Sequence, residues 1–313
     1  MCIIINYSYE RGRIMLDFRV NTFIELCKTR NYTKTAENLH MTQPAVTQHI
    51  KHLEEFYQCK LFNYNKKVLT MTEQGKILYK YLLTLSSDSK KIQEEITELG
   101  YVKRTLHFGA TLTIGEYAMP KIMEKLSIDY PDVNIDFMIR DTRELLEELK
   151  NGNIEFALIE GFFEKTDYES IVFAKETFVG VCSVDNPIAQ KKCSFEDLLS
   201  ERLILREAGS GSRDIFEKIL YENNLSISNF KKKYEIENIN VIKELVKKDV
   251  GISFLYKKAI EDDLKAGQLA VIDVKNSEEE REFNFVFMKN SFHKKEYKQW
   301  FNIMKKIYNT YLK

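Results

Sequence analysis

A chain of 313 residues with 44% hydrophobic and 30% charged residues is long enough for two or three packed domains and too apolar to be disordered. No apolar run approaches the ~20 residues that span a bilayer, and the amino terminus lacks a basic segment followed by a long apolar core, so a cytoplasmic protein with no membrane contact is expected. The formal charge of zero is unevenly divided: residues 1–104 hold 16 Lys and Arg against 11 Asp and Glu, and the remainder 31 against 36, which suits a polyanion for the first part only.

Residues 1–14 read as an amino-terminal extension, with Met15 as an alternative start; a short arm that packs Ile3 to Ile5 on the following domain is the other reading. From Phe18 to about Lys28 a helix presents Phe23, Leu26 and Cys27 to a small core. Asn31 to Glu54 then reads as two short helices separated by a polar corner, with Asn31 and Thr42 as their N-caps.

In the first of these helices Ala36 and Leu39 share a face; in the second Val46, Ile50 and Leu53 recur at the spacing of one buried stripe. Facing that stripe inward leaves Gln43, Thr47, Gln48 and Lys51 outside. Such a face suits the DNA major groove, because Gln can pair bidentately with adenine while Thr, Lys and helix starts, here Asn31, Thr33 and Thr42, can hold phosphate oxygens. Pro44 fits the first helical turn. A helical hairpin with an ordinary solvated face is the alternative from the residues alone.

The run Thr42-Gln43-Pro44-Ala45-Val46-Thr47, with Ala36 and Leu39 before it and Ile50, Leu53 and Glu54 after it, resembles the winged helix-turn-helix signature of the LysR-type transcriptional regulators. Leu61-Phe62 and Val68-Leu69-Thr70-Met71-Thr72-Glu73-Gln74-Gly75 are similar to that family's wing and to its entry into a linker helix. Two positions depart from the pattern: Tyr64 stands where the family usually has Arg, and Thr35 where it has Ala. Lys66 and Lys67 at the wing tip are then the expected phosphate contacts. Residues 15–72 are accordingly assigned to a DNA-binding domain.

Leu78, Leu82, Leu85, Ser89, Ile92, Ile96 and Leu99 alternate at spacings of four and three, a coiled-coil seam with one polar position. Residues 73–104 are read as a dimerisation helix roughly 40 Å long with a hinge at its end. A helix packed on its own domain is the other possibility. The resemblance implies a homodimer, commonly paired into a tetramer.

From Thr105 the pattern changes to short strands alternating with helices, which predicts an α/β sheet covered on both faces. Strands are expected at 106–110, 133–139, 154–160, 170–174, 178–183, 202–206, 233–237, 251–255, 269–274 and 283–289. Helices are expected at 115–127, 143–150, 213–223, 239–248 and 293–312. The order is similar to the two-lobed, type-II periplasmic-binding-protein-like effector domain of LysR-type regulators, which places residues 105–183 and 282–313 in the first lobe and 184–281 in the second.

Ligands of open α/β sheets collect where strands end and helices begin. Thr111, Leu112 and Thr113 follow the first strand, Asp141 and Thr142 the second, and Arg206-Glu207-Ala208-Gly209-Ser210-Gly211-Ser212-Arg213 forms a Gly/Ser-rich turn with two guanidinium groups. These features suit a small anionic effector. The segments Gly109–Pro120, Arg206–Arg213 and Glu160-Gly161 resemble effector domains of the branch that includes sulfur- and carbon-assimilation regulators, although Leu112 and Ser212 replace the more usual hydroxyl residue and Thr.

Five cysteines, Cys2, Cys27, Cys59, Cys182 and Cys193, contain no CxxC pair, and Cys182 with Cys193 are read as a buried strand thiol and a loop thiol in preference to a redox pair. The five histidines form no metal set, and no HExxH, GxSxG, Walker-type or GxGxxG motif is present. The expectation is therefore no enzyme, no metal and no cofactor, but a ligand-responsive DNA-binding regulator. A cytoplasmic enzyme with a DNA-binding appendage, using Ser210 or Cys182 as nucleophile, is the alternative, and a transport binding protein a third.

Overall fold

The computed structural model describes residues 16–65, 68–98, 104–275 and 279–311, so Met15, Lys66, Lys67, Leu99 and the expected extension and hinge lie outside the described residues. The chain forms two compact units that divide between residues 100 and 101, with residues 150–152 counted to the first.

In the amino-terminal unit the helices are α1 (Phe18–Thr29), α2 (Tyr32–Asn38) and α3 (Gln43–Tyr57), followed by the hairpin β1 (Phe62–Asn65) and β2 (Val68–Met71) and the long α4 (Glu73–Glu98). Asn31 caps α2 by accepting from the Thr33 and Lys34 peptide N–H groups at 2.9 and 3.1 Å, and Thr42 caps α3 from Ala45 at 3.4 Å. His40, at φ 50°, turns the corner between them. Val46, Ile50 and Leu53 are buried, with Ile50 and Leu53 against Phe23, Leu26 and Leu61 in one apolar cluster.

Thr35 is also fully buried. Its hydroxyl meets Thr29 Oγ1 at 2.5 Å and donates to the Asn31 carbonyl at 2.9 Å, so a polar group where the family pattern has a methyl is satisfied within the unit. At the far end of α3, Glu54 Oε1 accepts from the Leu61 and Phe62 N–H groups at 2.9 and 3.4 Å, and Oε2 from Lys60 at 2.6 Å. That carboxylate ties the recognition helix to the wing. Glu54→Ala should cost about 2 kcal/mol through the orphaned N–H groups, read as a lower urea midpoint; an unchanged midpoint would mean that water replaces the carboxylate.

Thr72 Oγ1 donates to the Lys60 carbonyl at 2.7 Å and accepts from Gly75 N–H at 2.9 Å, which starts α4 beside the wing. A Cβ on Gly75 would lie 2.2 Å from the Leu61 carbonyl oxygen, so glycine permits this approach. In the first half of the heptad seam, Leu78, Leu82 and Leu85 pack on the unit's own cluster with Phe23, Leu26 and Leu61, as the alternative of a helix packed on its own domain has it. The apolar groups that α4 leaves exposed are Ile77, Tyr81 and Ile96.

The second unit begins with β3 (Arg104–Ala110), α5 (Leu112–Tyr117), α6 (Met119–Asp129), β4 (Val133–Ile139), α7 (Thr142–Lys150) and β5 (Phe156–Ile159), followed by the long β6 (Tyr168–Ser183). Then come β7 (Lys192–Cys193), α8 (Phe195–Leu198), β8 (Arg202–Leu205), α9 (Gly211–Glu222), β9 (Lys232–Glu235), α10 (Ile239–Lys247), β10 (Ser253–Tyr256), α11 (Lys257–Lys265), β11 (Leu269–Val271) and β12 (Asp273–Val274). The chain closes with β13 (Glu279–Met288) and α12 (Lys294–Tyr311).

A seven-stranded sheet runs β10-β6-β13-β5-β3-β4, with β11 also on β6. β3 is parallel to β4 and β5, whereas β13 is antiparallel to β5 and β6. The two long strands join the lobes: Tyr168 pairs with Met288 at one end, and from Phe178 onward β6 pairs with β10 and β11 of the second lobe. The passage therefore lies inside β6, ahead of Val184. Stacked Phe108, Phe156 and Phe285, with ring centroids 5.1 and 4.4 Å apart, fill the first lobe under the sheet.

Several elements differ from expectation, among them the strand expected over 269–274, which is β11 and β12, and the unexpected β7 and α8. The helix expected over 115–127 is two, because Pro120 has no N–H to continue α5 and instead sits in the first turn of α6. The strands expected over 170–174 and 178–183 are one, since polar Lys175, Glu176 and Thr177 continue the ladder against Glu280–Glu282. α11 was not expected at all; its buried positions include Lys258 and Asp263, which blur its amphipathic pattern.

Candidate functional site

The outer face of α3 carries Gln43, Thr47, Gln48 and Lys51, all exposed, with Pro44 in the first turn. Gln43 Nε2 donates to Thr47 Oγ1 at 2.9 Å, and that hydroxyl donates to the Gln43 carbonyl at 3.1 Å. The pair holds the amide along the helix with its oxygen and second N–H free for a base edge. Lys51 lies 3.7 Å from Glu55, both largely exposed, an ion pair weak enough to yield to a phosphate. Asn31 and Thr33 are exposed at the start of α2, and Tyr64 is exposed on the wing.

In the second unit Thr111, Leu112, Thr142, Glu160, Arg206, Ser210 and Gly211 line one cleft of about 210 Å³ between the lobes. Four segments distant in sequence are thus brought together: the end of β3, the start of α7, the end of β5 and the start of α9. The hydroxyls, however, are turned on Glu160. Its N–H donates to Thr111 Oγ1 at 3.3 Å, its carbonyl accepts from Thr142 Oγ1 at 3.3 Å, and its Oε1 accepts from Thr113 Oγ1 at 2.9 Å. Thr111 and Ser210 accept through their oxygens, Ser210 from Arg213 N–H at 3.4 Å, which leaves both O–H groups available to a ligand.

Thr113 and Ser212 are buried behind the lining, and Gly209 at φ 93° makes the turn that leads into α9. Gly161, at φ 86°, and Gly211 bring the two lobes into backbone contact: a Cβ on Gly161 would stand 3.0 Å from Gly211 Cα, and one on Gly211 would stand 3.0 Å from the Glu160 carbonyl oxygen.

The guanidinium groups expected to meet an anion have other partners. Arg206 Nε and Nη2 donate to Glu207 at 2.7 and 2.6 Å, and Arg213 donates to Glu217 at 2.8 Å and Glu235 at 2.7 Å. Arg140, Glu144 and Glu237 also line the cleft and were not expected there. Glu207 beside Arg206 and Glu217 four residues after Arg213 were the local signals of these pairings. Burial pushes the Glu160 carboxyl up to about 7, against the opposing effects of the Thr113 hydroxyl and the Arg206 charge.

The thiols of Cys182 and Cys193 are free and buried. Burial pushes the Cys182 thiol up to about 12, so at neutral pH it carries almost no thiolate for nucleophilic or redox chemistry. Among the described residues no group of three His, Cys, Asp or Glu side chains could hold a metal ion, and no helix is long and apolar enough to cross a membrane.

Two family profiles match the chain: "Bacterial regulatory helix-turn-helix protein, lysR family" over residues 19–76 and "LysR substrate binding domain" over residues 100–307. The transcriptional regulator CysL of Bacillus subtilis is 32% identical over 271 residues, which cover 85% of this chain and 89% of that protein. Among solved structures, an OxyR mutant of Corynebacterium glutamicum is similar with a TM-score of 0.60 at 19% identity, covering 93% of this chain and 91% of that one. The CcmR regulatory domain of Synechocystis in complex with 2-PG is similar with a TM-score of 0.59 at 16% identity, covering 66% and 97%.

Proposed function

Because the chain belongs to the LysR family of bacterial transcriptional regulators, we propose that it reads its operator through the outer face of α3 and answers to a small anion held in the interlobe cleft. The observation that carries the first part is the amide and hydroxyl pair of Gln43 and Thr47, exposed on a capped helix whose opposite face is wholly buried. Gln43→Ala should weaken operator binding by about 1–3 kcal/mol while leaving random duplex nearly unaffected. Equal losses on both DNAs in a gel-shift titration would reduce Gln43 to a backbone contact.

The anion is supported by the start of α9 and the free O–H groups of Thr111 and Ser210 in one cleft. That the CcmR domain takes up 2-PG supports a small ligand in the same kind of fold. A thermal-shift screen against sulfate, thiosulfate, phosphorylated sugars and small carboxylates tests it, since a ligand that binds only the folded state raises the melting temperature. The protein acts in the cytoplasm as a homo-oligomer, without catalysis of its own, and α4 meets its copy through Ile77, Tyr81 and Ile96.

A further inference from the structure

We propose that the cleft takes its anion together with a proton carried by Glu160, whose Oε2 then donates a hydrogen bond to the anion. This deepens the effector assignment above and rests on it.

Glu160 is 2% exposed, and its Oε2 is buried without a hydrogen-bond partner while Oε1 is held by Thr113. Its Cγ lies against the first residue of α9, 3.4 Å from where a Cβ on Gly211 would stand. Thr111 and Thr142 hold the peptide groups of the same residue. The carboxyl is thus fixed at a helix start with one oxygen left over. As a carboxylate that oxygen would repel an anion; as a carboxylic acid it supplies an O–H donor.

Of the two cations on the cleft wall, Arg206 is paired with Glu207, while Arg140 is exposed and gives one N–H to the neutral Ile139 carbonyl at 2.8 Å. Asp141 and Glu144 of the α7 start and Glu237 before α10 add negative charge to the lining. Glu116 of α5, which like Glu160 feels the Arg206 charge, has a buried oxygen without a hydrogen-bond partner and a carboxyl raised by burial. Tyr256 of β10 keeps its phenol protonated by burial and then by the Glu160 charge. In this surrounding Glu160 titrates at about 7, and an incoming anion raises it further. Below that pH the acid is already protonated and affinity is level; above it, each pH unit weakens binding about tenfold.

Sulfate is the probe, because it does not itself titrate between pH 6 and 8. Calorimetry at pH 7.5 in two buffers of different ionisation enthalpy should show uptake of about three quarters of a proton per sulfate, and affinity should be about tenfold weaker at pH 8 than at pH 6. Glu160→Gln keeps an acceptor for Thr113 and supplies a permanent N–H donor, so its sulfate affinity should no longer vary with pH. Without ligand, the same substitution should raise the melting temperature more at pH 8 than at pH 5, because only at the higher pH does the unsubstituted chain bury a charge there. Equal sulfate affinity at pH 6 and 8 without proton uptake overturns the proton while leaving the anion in place, as does a folded Glu160→Gln that no longer binds sulfate. If neither sulfate nor any phosphorylated sugar or carboxylate raises the melting temperature at pH 6, the anion assignment fails, and the proton with it.

Discussion

Leu82→Lys should destabilise the amino-terminal unit by about 3–5 kcal/mol, a large share of what holds a small domain together. Leu82 is 5% exposed and lies in the cluster of Phe23, Leu26, Ile50 and Leu61, so the substitution removes apolar contacts and puts an ammonium into an apolar cluster. Ile96→Lys should leave that melting transition in place, since Ile96 is 61% exposed, and should instead shift the protein to smaller species in sedimentation. Both residues belong to the same stripe two heptads apart, so the contrast separates its first half, packed on the unit, from its exposed far end. A Leu82→Lys chain that melts normally but sediments as a smaller species would return the seam to its role as an interface between copies.

A repeat of fours and threes shows that a helix buries one stripe; it does not show whether the partner is another chain or the helix's own domain. That is why the seam of α4 was legible and its occupant was not. The helix pair before it was readable almost to the residue, because Asn31 and Thr42 cap through neighbours two or three positions away and Val46, Ile50 and Leu53 need only helical spacing. Lys175 to Thr177 misled for the converse reason: polar residues usually end a strand, and here they are the span between two lobes, where Glu176 is met by the Tyr308 hydroxyl from α12.

The cleft was legible as a place and less so as chemistry. Helix starts after strands locate it, and Thr111, Thr142, Ser210 and Gly211 do reach it. What each hydroxyl bonds to depends on pairings nearly fifty residues apart, such as Thr113 with Glu160, and sequence order carries no trace of them. Glu217, four residues after Arg213 on one helix, could have been found; Glu235, which reaches Arg213 from another strand, could not.

Gly211→Val should weaken anion binding by about 30- to 150-fold, because it forces the lobes apart at the point where they touch. A Cβ there would already stand 3.0 Å from the Glu160 carbonyl oxygen, and both atoms belong to backbone held at helix and strand ends, so neither can rotate away. Overpacking of this kind costs about 2–3 kcal/mol in the closed arrangement and nothing in an open one, so the population moves toward the open state and apparent affinity falls by the same factor. Gly211→Ala should show the same effect in smaller measure, since a methyl group asks the neighbour to yield by only a few tenths of an ångström. Gly211 is not among the positive-φ glycines, so backbone strain does not confound the series. Isothermal titration of both variants with sulfate gives the ordering, and small-angle scattering of the full chain reports the opening directly. Equal affinities across glycine, alanine and valine would mean that the anion does not require the approach of Glu160 to α9, and that the lobes signal without closing on it.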